Sequence, residues 1–412
     1  MSQDIYVFAD WEKLVVPILV GTLRSDVVKN KEHFSFAYDE KWLQSKFAQQ
    51  IDPQLHLYAG TQHGREQQNF HIFLDSCPDR WGRLIMKRRE AVLARKEERK
   101  PNALNEIDYL LGVHDMYRMG ALRFKLDLEG DFLDNNEKLA APPITSLREL
   151  EHAAQQVEDT GNLDDPDTLK WLNMLLAPGS SLGGARPKSC VIDNDKNLWI
   201  AKFPSKHDDY DIAAWEYVVY LLALDAGINM SECRLDKFNS YHHTFLTRRF
   251  DRISDGRLHF TSALTQLGYY DGEYDASYLE LAQFLTENGA NTKEDLAELW
   301  RRIVFNIAVS NTDDHLRNHG FIYHDGGWLL SPAYDINPVN PAHGLHLNIS
   351  DDDNSLNYDI AMDVIDFFQL SQERAEEIKS KVLTSVSKWE VVATKVGLSR
   401  REQQVMKFAF NV

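Results

Sequence analysis

The stretch from Leu296 to Asn337 constrains this chain more than any other. "LAELWRRIVFNIAVS" (296–310) places Leu299, Ile303 and Ile307 at i, i+4 and i+8, the spacing of a buried helix. "NTDDHLRNHG" follows, a loop dense in Asp, Asn and His. "FIYH" and "WLLS" then read as two apolar strands joined by a turn containing Asp325-Gly326, and the second runs into "SPAYDIN", delivering Asp335. The order is helix, polar loop, hairpin, aspartate.

That order suits phosphoryl transfer. A base must take the proton of an attacking hydroxyl, while a carboxylate and an amide oxygen hold Mg²⁺ against the phosphates. Asp313 fits the base or substrate-orienting group, Asn318 the amide ligand and Asp335 the carboxylate ligand. The spacing from Asp313 to Asn318 equals that in the catalytic loop of protein kinases, whose metal-binding aspartate also follows a hairpin. His315 has two readings, a donor that braces the loop or a general acid/base. Bracing is preferred because Asp313 already fills the base role. Asp314 is left without a role and reads as exposed.

Upstream, "PGSSLGGARPKS" (178–189) is glycine-rich. Gly179, Gly183 and Gly184 would let backbone N–H groups approach phosphate oxygens, and Lys188 could neutralise charge. It is not a Walker loop, because Ala185-Arg186 stands where Lys-Ser/Thr is needed. In "LWIAKF" (198–203), Lys202 shares a strand face with Leu198 and Ile200, and Glu216 follows in an amphipathic helix. A strand lysine paired with a helix glutamate is how kinases position the lysine that holds the α- and β-phosphates; two unrelated surface charges is the alternative. "FLTRRFDR" (245–252) could form a hinge offering backbone hydrogen bonds to an adenine, or Arg248, Arg249 and Arg252 could be surface charges.

Around these motifs the chain reads as α+β. "FSFAYD" (34–39), "LHLYAG" (55–60) and "MGALRFKLDLEG" (119–130) alternate as strands do, with a charged helix over 83–99. "GDFLDNNEKLAAPPIT" (130–145) reads as a linker. Helices are expected near 147–158 and 167–176, a strand pair over 189–203 and a strong helix over 211–227 ending at Gly227. Beyond about 255 the pattern is mostly helical, with Thr292 and Ser399 as N-caps and a capping box at Ser399 and Glu402. At 412 residues the chain has room for two or three domains.

Composition narrows the function. A net charge of −18 argues against a broad phosphate-binding face, so direct nucleic-acid binding is not the default, and the basic run 86–100 reads as a solvated amphipathic helix. No stretch approaches ~18 uninterrupted apolar residues, so no membrane span is expected. The N-terminus does not read as a signal peptide, and three widely spaced cysteines form neither a metal knuckle nor a disulfide framework. A reducing, cytoplasmic setting is the expectation.

"FLDSCPDRWGR", "MGALRF", "SLGGARPK", "TRRFDR", "NTDDHLRN" and "LSPAYD", in this order over nearly the whole chain, resemble the HipA family, the serine/threonine kinase-like toxins of bacterial type II toxin–antitoxin systems. The resemblance implies a two-lobed, protein-kinase-like α+β fold: an N-terminal subdomain over 1–130, a kinase-like N-lobe over 131–250 and a helical C-lobe over 251–412. It implies ATP and Mg²⁺ as cofactors. The nucleotide site would draw on Ser181, Leu182, Gly183, Gly184, Ala185 and Lys188 of the loop, on Lys202 and Glu216, on Arg248 and Phe250 at the hinge, and on His315, Asn318 and Asp335.

Asp313 would be the catalytic aspartate, with Asn318 and Asp335 as metal ligands. Ser181 is similar to the serine that family members autophosphorylate, which ejects the loop and silences the kinase; the adjacent Ser180 leaves that position open. Better-understood members phosphorylate aminoacyl-tRNA synthetases. A small HipB-like DNA-binding antitoxin restrains them, and the complex represses its own operon, so DNA would be met only through the antitoxin. Two other readings stand beside an active kinase. One is a kinase-like module that binds an antitoxin and acts as co-repressor. The other is a metal-dependent phosphohydrolase built on Asp313, Asp314, His315 and Asp335. It lacks a second His/Asp cluster and leaves the glycine loop and Lys202 unexplained.

Overall fold

A computed structural model describes the chain except residues 1, 30, 66–67, 159–166, 177–183, 185, 254–255 and 274, and the side chain of Lys138. The described residues divide into two compact units. The first comprises residues 1–206 and 251–261, the second 207–250 and 262–412.

The first unit is built on a five-stranded antiparallel sheet in the order Thr61–His63, Lys31–Tyr38, Ile18–Val28, Ser2–Ala9 and Leu122–Lys125. The alternation in "FSFAYD" is real: Phe34, Phe36 and Tyr38 are buried in a core that includes Ile5, Val7, Trp42, Phe73 and Phe124. Each such side chain contributes roughly 1.5–3 kcal/mol by leaving water. Gly21 is obligatory in this sheet, because a Cβ there would collide with the Ala37 carbonyl.

"LHLYAG" is not a strand. The Tyr38 hydroxyl donates to the Leu55 carbonyl at 2.9 Å, and the Gln62 side chain brackets His56, accepting from its N–H and donating to its carbonyl, both at 2.8 Å. Side chains thus take the backbone groups that a ladder would have used, and the strand starts at Thr61.

Asp79 caps the helix Arg80–Lys96, its carboxylate accepting from Gly82 N at 2.8 Å. The helices Leu147–Glu158 and Thr168–Leu176 and the hairpin Lys188–Ile192/Leu198–Lys202 fall where the periodicity places them.

The second unit holds the helix Ile212–Ala226, closed by Gly227 at φ 84°, and the hairpin Cys233–Asp236/Thr244–Arg248. Its central element is the helix Thr292–Val309, in which Leu299, Ile303 and Ile307 are fully buried. Asn291, not Thr292, is the N-cap residue. The Thr292 hydroxyl instead donates back to Leu285 O at 3.2 Å, tying this helix to the preceding Tyr278–Asn288. The hairpin Gly320–His324/Gly327–Leu330 turns through Asp325 (φ 47°) and Gly326 (φ 87°), both left-handed as a type I′ turn requires. Gln372–Val386, Trp389–Val396 and Arg400–Met406 complete the helical layer, the last opened by the Ser399/Glu402 capping box. No helix among the described residues is long and apolar enough to cross a membrane. All three cysteines are buried and none is in a disulfide.

Candidate active site

The polar loop begins where the central helix ends. Ser310 adopts a left-handed conformation (φ 50°), its N–H closing onto Asn306 O and Ile307 O, and its hydroxyl accepts from Asn411 Nδ2 at 2.9 Å. The chain then alternates sharply in exposure. Asp313 faces solvent, whereas Asp314 is 3% exposed.

Asp314 therefore corrects the expectation that it is exposed and idle. Its Oδ2 accepts from the Tyr278 hydroxyl at 2.5 Å, from Asn306 Nδ2 at 2.7 Å and from His319 Nε2 at 2.8 Å. Burial alone would raise this carboxyl, but the His319 imidazole and the Tyr278 hydroxyl hold it below the usual carboxylate range. Burial and the Asp314 charge push the Tyr278 hydroxyl well above its ordinary value, keeping it a donor. The loop is braced by Asp314, His319 and Tyr278. The His315 ring stands edge-on to His346 at 5.8 Å, with its Nδ1 buried and lacking a hydrogen-bond partner.

Asn318 closes a short helical turn, Leu316–Asn318, and is buried. Its Nδ2 donates to the Asp313 carbonyl oxygen at 3.0 Å, while its Oδ1 is buried with no hydrogen-bond partner. Orphaned buried acceptors are rare and need a reason; an amide oxygen is a suitable ligand for a hard cation.

Asp335 lies just beyond the hairpin, half-buried, at φ 60°. A non-glycine residue there costs on the order of 1 kcal/mol and persists only where its surroundings impose it. They do: Ala333 N donates to Asn229 O at 2.7 Å, the Tyr334 hydroxyl to Arg317 O at 2.8 Å and Asn337 Nδ2 to Asp335 Oδ1 at 3.3 Å. Arg302, itself paired with Glu298, donates to Ser331 O at 2.8 Å. No group of three or more His, Cys, Asp or Glu among the described residues is placed to hold a metal ion by itself. A magnesium ion carried largely by phosphates and water needs no such cluster, so Asn318 and Asp335 fit that ion.

The hinge residues are partly accounted for. Arg248 is exposed, its Nη1 3.6 Å from Glu232 Oε2, and the Phe250 ring stacks on Tyr334 with centroids 5.6 Å apart. Glu216 is buried within its helix.

In the first unit, Ser180, Ser181, Leu182, Gly183 and Ala185 lie outside the described residues, as does Gly179. Gly184 is left-handed (φ 88°). Lys188 is buried at the start of its strand, its Nζ 2.6 Å from Asp79 Oδ2. Burial raises the Asp79 carboxyl against the pull of that lysine. Lys202 stands opposite Lys188 in the hairpin register, half-buried at the strand's end.

Sequence reasoning missed Asp314, His319, Tyr278, Asn306 and Asn337. One signal was available. Asn306 is the lone polar residue in "IVFNIAV", and a polar side chain in a fully buried helical turn must have a partner.

Residues 180–390 match the family model of the HipA-like C-terminal domain. A Haemophilus influenzae protein named "Putative kinase" is 28% identical over 186 residues, covering 40% of this chain and 54% of its own length. "Putative kinase Y4dM" of Sinorhizobium fredii is 28% identical over 184 residues, covering 38% and 44%. The match thus spans about half the length of these curated relatives. Among solved structures, HipA of Shewanella oneidensis, determined with HipB and its operator DNA, superposes with a TM-score of 0.65 at 17% identity, covering 98% of this chain and 94% of that one.

Proposed function

This chain belongs to the HipA family, and we propose that it is an ATP- and Mg²⁺-dependent serine/threonine protein kinase. The observation that best supports this reading is Asn318, whose Nδ2 holds the backbone of Asp313 while its Oδ1 is buried without a protein partner. One residue thereby ties the base-bearing segment to an oxygen suited to a hard cation.

In this reading the exposed Asp313 carboxylate accepts the proton of a substrate hydroxyl. The hydroxyl oxygen takes the γ-phosphoryl group and ADP leaves. Asn318 and Asp335 would hold Mg²⁺, which when bound offsets charge on the phosphates. Lys202 holds the α- and β-phosphates. Arg248 and Phe250 lie on the nucleotide's adenine side, and His315 sits beside the phosphates. The loop around Ser181, with Ser180, is the site of self-phosphorylation. The partner is a HipB-like antitoxin, in keeping with the HipB-bound Shewanella structure, and DNA is reached only through that antitoxin.

The test is to bring the protein to a single unphosphorylated mass, incubate it with Mg-ATP and map phosphate by mass spectrometry, beside Asp313→Ala. Phosphate on Ser180 or Ser181 in the wild type alone supports the kinase. Tight ATP binding with no phosphate anywhere would instead favour a binding module. Phosphate release without protein labelling would favour a phosphohydrolase.

A further inference from the structure

We propose that Asn311 and Asn337 are positioning residues that set the carboxylate of Asp335 relative to the loop carrying Asp313 and Asn318. The proposal rests on the metal-binding roles given above to Asn318 and Asp335, and deepens them.

The observation is a continuous run of hydrogen bonds through the second unit. Asn306 Nδ2 donates to Asp314 Oδ2 at 2.7 Å, and Asn311 Nδ2 donates to Asn306 Oδ1 at 3.1 Å. Asn311 Oδ1 then accepts from the Asn337 N–H at 3.2 Å, and Asn337 Nδ2 donates to Asp335 Oδ1 at 3.3 Å. Asn306, Asn311 and Asp314 are 2%, 0% and 3% exposed, so water does not compete for the bonds among them, whereas Asn337 and Asp335 are half-buried.

Residue chemistry makes the run directional. Position 311 needs a donor toward Asn306 and an acceptor toward Asn337, which an amide supplies at opposite ends of one planar group. An aspartate there would set oxygen against the Asn306 oxygen. The far end of the run is the residue whose backbone is least at ease: Asp335 sits at φ 60°, and the Asn337 N–H is anchored two residues further on. Purely structural bonds would hold the loop shut, but this run terminates on a carboxylate oxygen. It starts at Asp314, beside the proposed base.

The test reads metal affinity directly. Mn²⁺ is titrated into the full chain with a non-hydrolysable ATP analogue and free Mn²⁺ is followed by its paramagnetic signal, for wild type, Asp335→Ala, Asn311→Asp and Asn337→Ala. Analogue affinity without metal and the thermal midpoint are measured alongside. Asn337→Ala retains the backbone N–H bond, so it isolates the side-chain link to Asp335 and guards against loss of folding in Asn311→Asp. The expected result is Mn²⁺ binding about 10-fold weaker in Asn337→Ala and at least as weak in Asn311→Asp, the range seen when outer-shell partners of metal ligands are removed. Metal-free analogue affinity stays unchanged. Weakening in Asp335→Ala but wild-type affinity in both asparagine variants overturns the positioning role and leaves the kinase reading intact. No effect of Asp335→Ala, or no Mn²⁺ binding by the wild type, overturns the metal assignment and this inference with it.

Discussion

The Asn318 side chain donates to the carbonyl oxygen of Asp313 at 3.0 Å and leaves its own Oδ1 buried with no hydrogen-bond partner. A buried amide oxygen with no protein partner suits a hard cation. Asn318→Ala is therefore expected to change stability by less than about 1 kcal/mol, since removing an orphaned acceptor offsets the lost bond. Phosphorylation of Ser180 or Ser181 should fall by roughly 100-fold at limiting Mg²⁺. Thermal melts and a Mg²⁺ titration of phosphate incorporation check the two halves; a large stability loss with an unchanged metal requirement would count against the ligand role.

Asp314 accepts three hydrogen bonds on one oxygen. Asp314→Ala leaves the Tyr278 hydroxyl, Asn306 Nδ2 and His319 Nε2 without that acceptor. At roughly 1–3 kcal/mol for each buried group left unsatisfied, a loss of at least about 3 kcal/mol is expected, with a smaller loss for Asp314→Asn, which keeps one acceptor oxygen. Urea denaturation of the two variants distinguishes them, and equal losses would argue that the carboxylate is not the hub.

Lys188 is buried against Asp79 at 2.6 Å. Lys188→Met strands a buried carboxylate and is expected to cost about 3–5 kcal/mol, whereas adding Asp79→Asn should recover most of that. Chemical denaturation of single and double variants gives the coupling. A single variant as stable as the wild type would show that the pair contributes nothing, and would leave phosphate binding as the role for Lys188.

Burial pushes the Asp52 carboxyl up to about 6, although the Ile72 and Gln54 amides donate to it. Between about pH 4 and 6 the folded chain holds a proton there that the unfolded chain has released. This group's favourable contribution is complete below about pH 4 and is lost as pH rises through 6, a change of about 3 kcal/mol. Denaturation midpoints should fall between pH 4 and 7 more steeply for the wild type than for Asp52→Asn. Parallel profiles would refute the assignment.

What the sequence determined by itself was local. The helix over 292–309, the type I′ hairpin and the capping box at Ser399 all rest on contacts between near neighbours, and such contacts leave a period or a dipeptide in the sequence. The spacing from Asp313 to Asn318 and the arrival of Asp335 after a hairpin were legible for the same reason. "LHLYAG" had a strand's alternation, yet Tyr38 and Gln62, on other segments, took its backbone groups. The tertiary structure alone decided which of two adjacent aspartates meets solvent. Buried Asp314 is held by Tyr278, 36 residues upstream, and Lys188 finds its partner in Asp79, the cap of a distant helix. A buried charge is stable only where folding brings its donors together, and no local pattern records where those donors lie.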